Sequence, residues 1–280
     1  MVAIPSYAGA GRSGRGRIVA QLAGGRSVLG SVRAESPLRF LQPTPSAIGG
    51  AASVCLVTFG GGLVAGDQIG VELEVHPGAR LLAFTQSSTK VFRGASRQTV
   101  TASVDGTLVL LPDPVAAFAD AAFRQTTDIH LGPGGAVVAL DGFTAGRAAF
   151  GERWAMRSLD LRTTIRNDAG VIVSDATRLD QADGSIADRL GSYDAVLTLI
   201  AVGQGAAAIV RSILRDPFAP PTPDLFIAAS PLPRARALSG ADGAILRVAA
   251  SQPAVALAAL RRRLRNLPDI DIVDPFGSRR

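Results

Sequence analysis

Between Ile69 and Val75 the chain reads IGVELEV, with Ile69, Val71, Leu73 and Val75 alternating against Gly70, Glu72 and Glu74. Successive side chains of a strand point to opposite faces, so this period of two predicts a strand with one face buried and one wet. The theme recurs from Ile18 to about Arg178 as short alternating or β-branched runs separated by Gly, Pro, Asn or Asp turn signals. Predicted strands are Leu81–Thr85, Gln98–Val104, Thr107–Leu111, Phe123–Leu131, Ala136–Leu140, Ser158–Arg166 and Val171–Leu179. Their connectors are His76-Pro77-Gly78-Ala79, Asp105-Gly106, Gly132-Pro133-Gly134-Gly135 and Asn167-Asp168-Ala169-Gly170. The two Pro-Gly turns each join a polar-alternating strand to a more apolar one, a repeat expected of stacked β layers.

The pattern changes after the strand Ala195–Ala201. Gly205–Leu214 carries helical apolar spacing and stops at Asp216-Pro217. A second helix is predicted over Pro253–Asn266, with Ser251 as N-cap, Pro253 in its first turn and Arg261–Arg263 near its C-terminus. Leu225–Ala229, Arg234–Leu238 and Ala244–Val248 read as short strands between the two helices. The expected organisation is a single domain over 1–280: a basic disordered tail to residue 16, a β core over 17–200, and mixed strands with two helices over 201–280. Hence the fold class is mainly β, a layered β-helix-like stack of sheets with two helices in its C-terminal region.

With 280 residues, 47% of them hydrophobic, the chain can bury a sizeable core. Its apolar runs are broken well before the ~20 residues of a membrane span, so no membrane partner is expected. The lone cysteine, Cys55, forbids an internal disulfide and points to a reducing, cytoplasmic setting. It lies in the apolar run SVCLV and reads as a small buried hydrophobe. The net charge of +6 is almost all arginine, with Lys90 the single lysine, and it is spread along the chain. Aromatics at 5% supply no stacking platform, so specific nucleic-acid binding is not expected.

Candidate catalytic sets are excluded in turn. His76 and His130, the only histidines, each stand at a strand end before a Gly-Pro or Pro-Gly turn and read as solvated side chains. HExxH, CxxC and GxSxG are absent from the sequence. The glycine-rich stretch Gly60–Asp67 (GGGLVAGD) leads into a strand rather than a helix, and so lacks the geometry of a phosphate loop. It supplies a backbone capable of close approach, with Asp67 at a strand entrance.

GGGLVAGD, followed by a strand, Pro77-Gly78-Ala79 and then TQSSTKVFR over Thr85–Arg93, resembles the signature of the UreD (UreH) family of urease accessory proteins. LPDP at Leu111–Pro114 with Phe118, FRQ at Phe123–Gln125, and Leu140-Asp141 with Gly146-Arg147-Ala148 and Gly151-Glu152 resemble later segments of that family in the same order. The resemblance runs from about Arg17 to the C-terminal helix and is strongest over 58–155. The stretch Val137–Arg147 departs from the family's usual context, which weakens the transfer of residue roles around 139–145. The resemblance implies a non-enzymatic, β-layered chaperone and scaffold for nickel insertion. Its implied partners are urease apoprotein, UreF, and the GTPase UreG joined through UreF. It also implies transient Ni²⁺ passage through an internal water-filled tunnel, with no tightly bound cofactor and no tight metal site. Asp67, Ser88, Lys90, Asp141 and Glu152 are the candidate tunnel-lining residues. A conduit of carboxylates, hydroxyls and water releases a borderline metal faster than a His or Cys cluster would. Two readings from other classes stand beside it. A carboxylate-dependent enzyme on a β-solenoid needs two carboxylates, such as Asp67 and Glu152, about 5–10 Å apart across a cleft. A basic nucleic-acid-binding β protein needs its arginines gathered on one face.

Overall fold

The structure is a computed structural model and describes residues 11–43, 50–215, 220–233, 243–270 and 272–275. The strands are, in chain order, β1 (Ser13–Ala23), β2 (Arg26–Ala34), β3 (Leu38–Leu41), β4 (Ala52–Thr58), β5 (Gln68–Val75), β6 (Arg80–Thr85), β7 (Lys90–Val91), β8 (Gly94–Val104), β9 (Thr107–Leu111), β10 (Val115–Ala117), β11 (Ala121–Leu131), β12 (Ala136–Thr144), β13 (Gly146–Arg147), β14 (Glu152–Arg153), β15 (Ser158–Asn167), β16 (Gly170–Asp180), β17 (Ala195–Val202), β18 (Leu225–Pro231) and β19 (Gly243–Ala250). The helices are α1 (Ile186–Leu190), α2 (Ala207–Arg215) and α3 (Pro253–Arg263).

One sheet has the order β16-β15-β11-β8-β5-β1-β2 and the other β18-β19-β17-β12-β9-β6-β4-β3. From β4 to β15 the chain crosses repeatedly between them. It lays β5, β8, β11 and β15 parallel in the first sheet and β4, β6, β9 and β12 parallel in the second. These are the coils of a β-helix. Antiparallel strands extend both sheets: β1–β2 and β15–β16 flank the first, while β17, β19 and β18 continue the second.

The period of two is what builds the core. Inward-facing Val71, Leu73, Val75, Val100, Val104, Phe123, Ile129 and Leu131 of the first sheet meet Leu81, Leu108, Val137 and Ala139 of the second. Each of these side chains larger than alanine contributes about 1.5–3 kcal/mol on full burial. The alternate residues of the first sheet face solvent, as the sequence pattern requires. The second sheet is apolar on both faces, because Val109, Val138, Leu197, Leu199 and Leu246 pack outward under α2 and α3.

The coils have a narrow end and a wide end. At the narrow end the turns around Pro77, Gly106 and Pro133 stack directly: Thr107 N–H donates to Ala79 O at 2.9 Å, and Ala136 N–H to Gly106 O at 2.8 Å. A Cβ on Gly106 would sit 2.2 Å from Ala79 O, so only glycine fits between successive turns. At the wide end the connections 59–67, 86–93, 112–120 and 145–157 lie on one another like floors. Short parallel pairings hold them: Leu63 with Val91, β7 with β10, and β10 with the end of β12.

The mainly β, β-helix-like expectation holds, and the predicted strand cores fall within observed strands, apart from Arg234–Leu238, which lies outside the described residues. Several details differ. Ser13–Gly16, assigned to a tail, already pair with β5 in β1, since Gly14 and Gly16 face the core where their missing Cβ admits Leu38 and Phe40. The helix expected over Gly205–Leu214 divides into a 3-10 turn at Gln204–Ala206 and α2. The last helix ends at Arg263 rather than Asn266, and its N-cap is Gln252, not Ser251, with no side-chain capping bond. The short helix α1, capped by the Ser185 hydroxyl on Asp188 N–H, was not anticipated.

Candidate functional site

The four motif segments of the sequence, separated along the chain, are the four floors of the wide end. Leu63 N–H donates to Lys90 O and Phe92 N–H to Leu63 O, both at 2.8 Å. On the next floor Ala116 N–H donates to Thr89 O and Phe118 N–H to Val91 O, both at 2.9 Å. Gly62 makes the first contact possible: a Cβ there would lie 2.4 Å from Lys90 O. The fourth floor, the β13–β14 hairpin, is anchored by Trp154. Its indole stacks edge-on to Phe143 with ring centroids 5.9 Å apart and donates to Tyr193 O at 3.1 Å.

Two cavities border these floors, and the Gly60–Gly62 loop stands between them. The inner one, about 190 Å³, lies between the sheets. Gln98, Gln125 and Thr127 of the first sheet and Leu110 and Leu140 of the second line it, and Gln86–Lys90 form its mouth. Ser88 and Lys90 are therefore together at one opening. Thr127 is only 5% exposed. Three polar side chains at inward positions of an otherwise apolar core are stable only when hydrated or hydrogen-bonded, and the cavity has room for several waters.

Asp141 continues this polar line. Its Oδ1 accepts from Gln125 Nε2 at 3.2 Å and from Gly142 N–H at 2.8 Å, and its Oδ2 accepts from Thr163 Oγ1 at 3.2 Å. Burial pushes the carboxyl up to about 6, with Asp175 adding to the effect and the hydrogen bonds opposing it. Along the second sheet Asp141 pairs in register with Thr198, and Thr198 with Arg247. Within the first sheet Thr163 pairs in register with Asp175, and Asp175 in turn binds the Arg247 guanidinium of the second sheet. A belt of amides, hydroxyls and carboxylates thus crosses the sandwich from the Gln86–Lys90 mouth to β16 and β19.

Asp67 and Glu152 lie elsewhere, in a cleft of about 990 Å³ on the outer side of the glycine loop. Asp67 is 5% exposed. Its two oxygens accept from Arg12 N–H and Val64 N–H, each at 2.9 Å, tying the N-terminal strand to the glycine loop. Glu152 is gripped by Arg147 and also accepts from Ala119 N–H at 3.2 Å. The Arg147 bond, then that backbone bond, hold its carboxyl below the usual glutamate range. The five candidates therefore divide: Ser88, Lys90 and Asp141 border the interior belt, and Asp67 and Glu152 the outer cleft.

Sequence reasoning missed Gln98, Gln125, Thr127, Thr163, Asp175, Thr198 and Arg247. The signal was present, because in the alternation of β11 the inward parity reads Phe123, Gln125, Thr127, Ile129, with two polar members on an apolar face. His76 pairs with Glu74 at 2.8 Å and His130 with Asp168 at 3.0 Å, both partly exposed. Cys55 is buried. Among the described residues no group of three or more His, Cys, Asp or Glu is placed to hold a metal, and no helix is long and apolar enough to cross a membrane. Several arginines of the first sheet's outer face are paired with acids, as in Arg17–Glu74 and Arg124–Asp160, so that face is mixed in charge.

These features define a β-helical scaffold whose interior carries a polar belt and whose longer loops are gathered at one end. Residues 12–269 match the family described as UreD urease accessory protein, and the chain belongs to that family. It is 38% identical to the urease accessory protein UreD of Sorangium cellulosum over 274 residues, covering 96% of this chain and 85% of that one. Identity to the UreD protein of an Anaeromyxobacter species is 35% over 275 residues, covering 95% and 89% of the two chains. Identity to the urease accessory protein D of Arabidopsis thaliana is 32% over 208 residues, 71% of each chain.

Proposed function

We propose that this chain is a non-catalytic scaffold of urease maturation in the cytosol. It binds urease apoprotein and UreF, receives UreG through UreF, and conducts Ni²⁺ through its interior as cargo. Family membership supports the maturation role, and the observation that supports conduction is the polar belt through an apolar sandwich. Amide, hydroxyl and carboxylate oxygens suit weak, exchangeable hold on Ni²⁺, whereas a closed His or Cys set would retain it. Ser88 and Lys90 stand at the mouth, Asp141 in the middle, and Asp67 and Glu152 on the approach outside the glycine loop. The enzymatic alternative is disfavoured because it requires two free carboxylates, while both Asp67 oxygens hold backbone N–H groups and Glu152 is bound by Arg147. The test is reconstitution of urease with matched amounts of UreF-bound wild type, Thr127→Leu and Gln98→Leu. These substitutions fill and dry the inner cavity. Urease nickel content is expected to fall severalfold with the complexes intact; loading equal to wild type would refute conduction through the interior.

A further inference from the structure

Exposed large apolar side chains are scattered over the described residues, and three of them, Phe59, Val64 and Phe150, stand together at the wide end. Phe59 is 50% exposed and Val64 46% on the first floor, and Phe150 is 79% exposed on the fourth. Phe59 and Val64 open into the outer cleft, whose floor holds Phe92 and Phe118, packed edge to face at 5.3 Å. Guanidinium groups cover the aromatic faces: Arg39 stands 4.4 Å over Phe59, and Arg147 stands 4.4 Å over Phe118 and 5.7 Å over Phe150. Clustered aromatics with stacked arginines are the composition of the energetic centre of a protein interface. A side chain built on Gly60 or Gly61 would meet nothing within 4 Å, so the loop backbone beneath is open to approach.

Charge decides the kind of partner. Arg93 pairs with Asp120 and Arg147 with Glu152, but Arg12 and Arg39 have no acidic partner among the described residues. We propose that the cleft is the docking site for a partner protein's segment that inserts a bulky apolar side chain onto Phe59, Phe92 and Phe118 and sets carboxylates against Arg12 and Arg39. A small ligand filling the cleft would leave Phe150 uncovered, whereas a protein surface covers it together with the cleft. The acids Asp120 and Glu152 on the same rim oppose a nucleic acid. A segment seated here rests on the glycine loop whose other side bounds the inner cavity, so docking and the cavity mouth share one wall.

The inference rests on the maturation role only for the choice of probes, purified urease apoprotein and UreF. Full-length wild type, Phe150→Asp, Arg39→Glu and the distant control Val171→Asp are titrated against each probe, and hydrogen exchange is recorded in the complexes. The expected result is a tenfold or greater weakening for Phe150→Asp and for Arg39→Glu with one probe. Val171→Asp binds as wild type, and exchange slows at 59–67 and 146–153. Unchanged affinity of both cleft variants for both probes, slowing confined to other segments, or no binding by wild type overturns the docking site. A chain that docks through the cleft yet loads no nickel sinks the maturation role and leaves the cleft standing. Loading that survives in both cleft variants together with wild-type affinity for both probes sinks the cleft alone.

Discussion

Replacing Asp141 by asparagine separates the energetics of the interior belt from its use. The Asp141 carboxyl is lifted from the ordinary 3.8 to about 6 because burial disfavours its charge and Asp175 adds to that. Since the folded value lies above the unfolded one, below about pH 4 the group is protonated in both states and costs nothing. Between about pH 4 and 6 the unfolded chain gives up the proton first, and above about pH 6 the folded state bears the whole penalty. At about 1.4 kcal/mol for each tenfold change in proton affinity, that penalty is about 3 kcal/mol at pH 7.5. Asparagine keeps the network: its oxygen accepts from Gly142 N–H and Gln125, and its amide donates to the Thr163 hydroxyl, which rotates to accept. Asp141→Asn is therefore expected to be about 3 kcal/mol more stable than wild type at pH 7.5 and equal to it near pH 4. A chain of this size shifts by roughly 2 °C per kcal/mol, so the thermal midpoint should rise by about 6 °C at the higher pH. Denaturant titrations at both pH values are the assay. A gain that does not depend on pH, or no gain at pH 7.5, refutes the argument from burial. If the belt carries Ni²⁺, this more stable variant should load urease less well, the trade expected where a group is kept for function.

Two further outcomes follow from the wide end. Gly62→Ala pushes a Cβ against Lys90 O and should break the Leu63–Lys90 hydrogen bond, costing about 1–3 kcal/mol by denaturation midpoint; wild-type stability would show that the floors are not held there. The Glu152 carboxyl is expected to titrate below the usual glutamate range by side-chain carbonyl NMR and to move up toward it in Arg147→Ala, and an unmoved titration would show that Arg147 is not its main partner.

How much of this was legible depends on whether the information was local. The period of two at Ile69–Val75 and Phe123–Leu131, with glycine and proline between, gave the strands and the layered architecture, because alternation and turn chemistry are written in neighbouring residues. The strand β1 was half hidden, since Gly14 and Gly16 occupy core positions through the absence of side chains and leave no apolar signal. Which motif residues meet was not legible. Asp67 and Glu152 share a cleft because it runs along the side of the stacked floors from the first to the fourth, and Ser88 and Asp141 border another space because one is in a loop and the other on an inward strand position. The belt itself needed both sheets: Arg247 reaches Asp175 from a strand 72 residues away.

The two ends of the coil also differ in what they can be used for, and sterics explain the difference. At the narrow end a Cβ on Gly135 would come 2.1 Å from Val104 O and one on Gly106 2.2 Å from Ala79 O, so at these positions each turn is sealed by the next. The wide end has longer connections whose backbones bond to each other through a few residues, Leu63, Lys90 and Phe92 among them, leaving the remaining side chains free to project. A stack of strands that presents its longer loops at one end is the usual placement of binding residues on a scaffold. It follows that both the cavity mouth at Gln86–Lys90 and the aromatic cleft belong to this end, with the glycine loop as their common wall. Any partner that alters the position of Gly60–Gly62 acts on both.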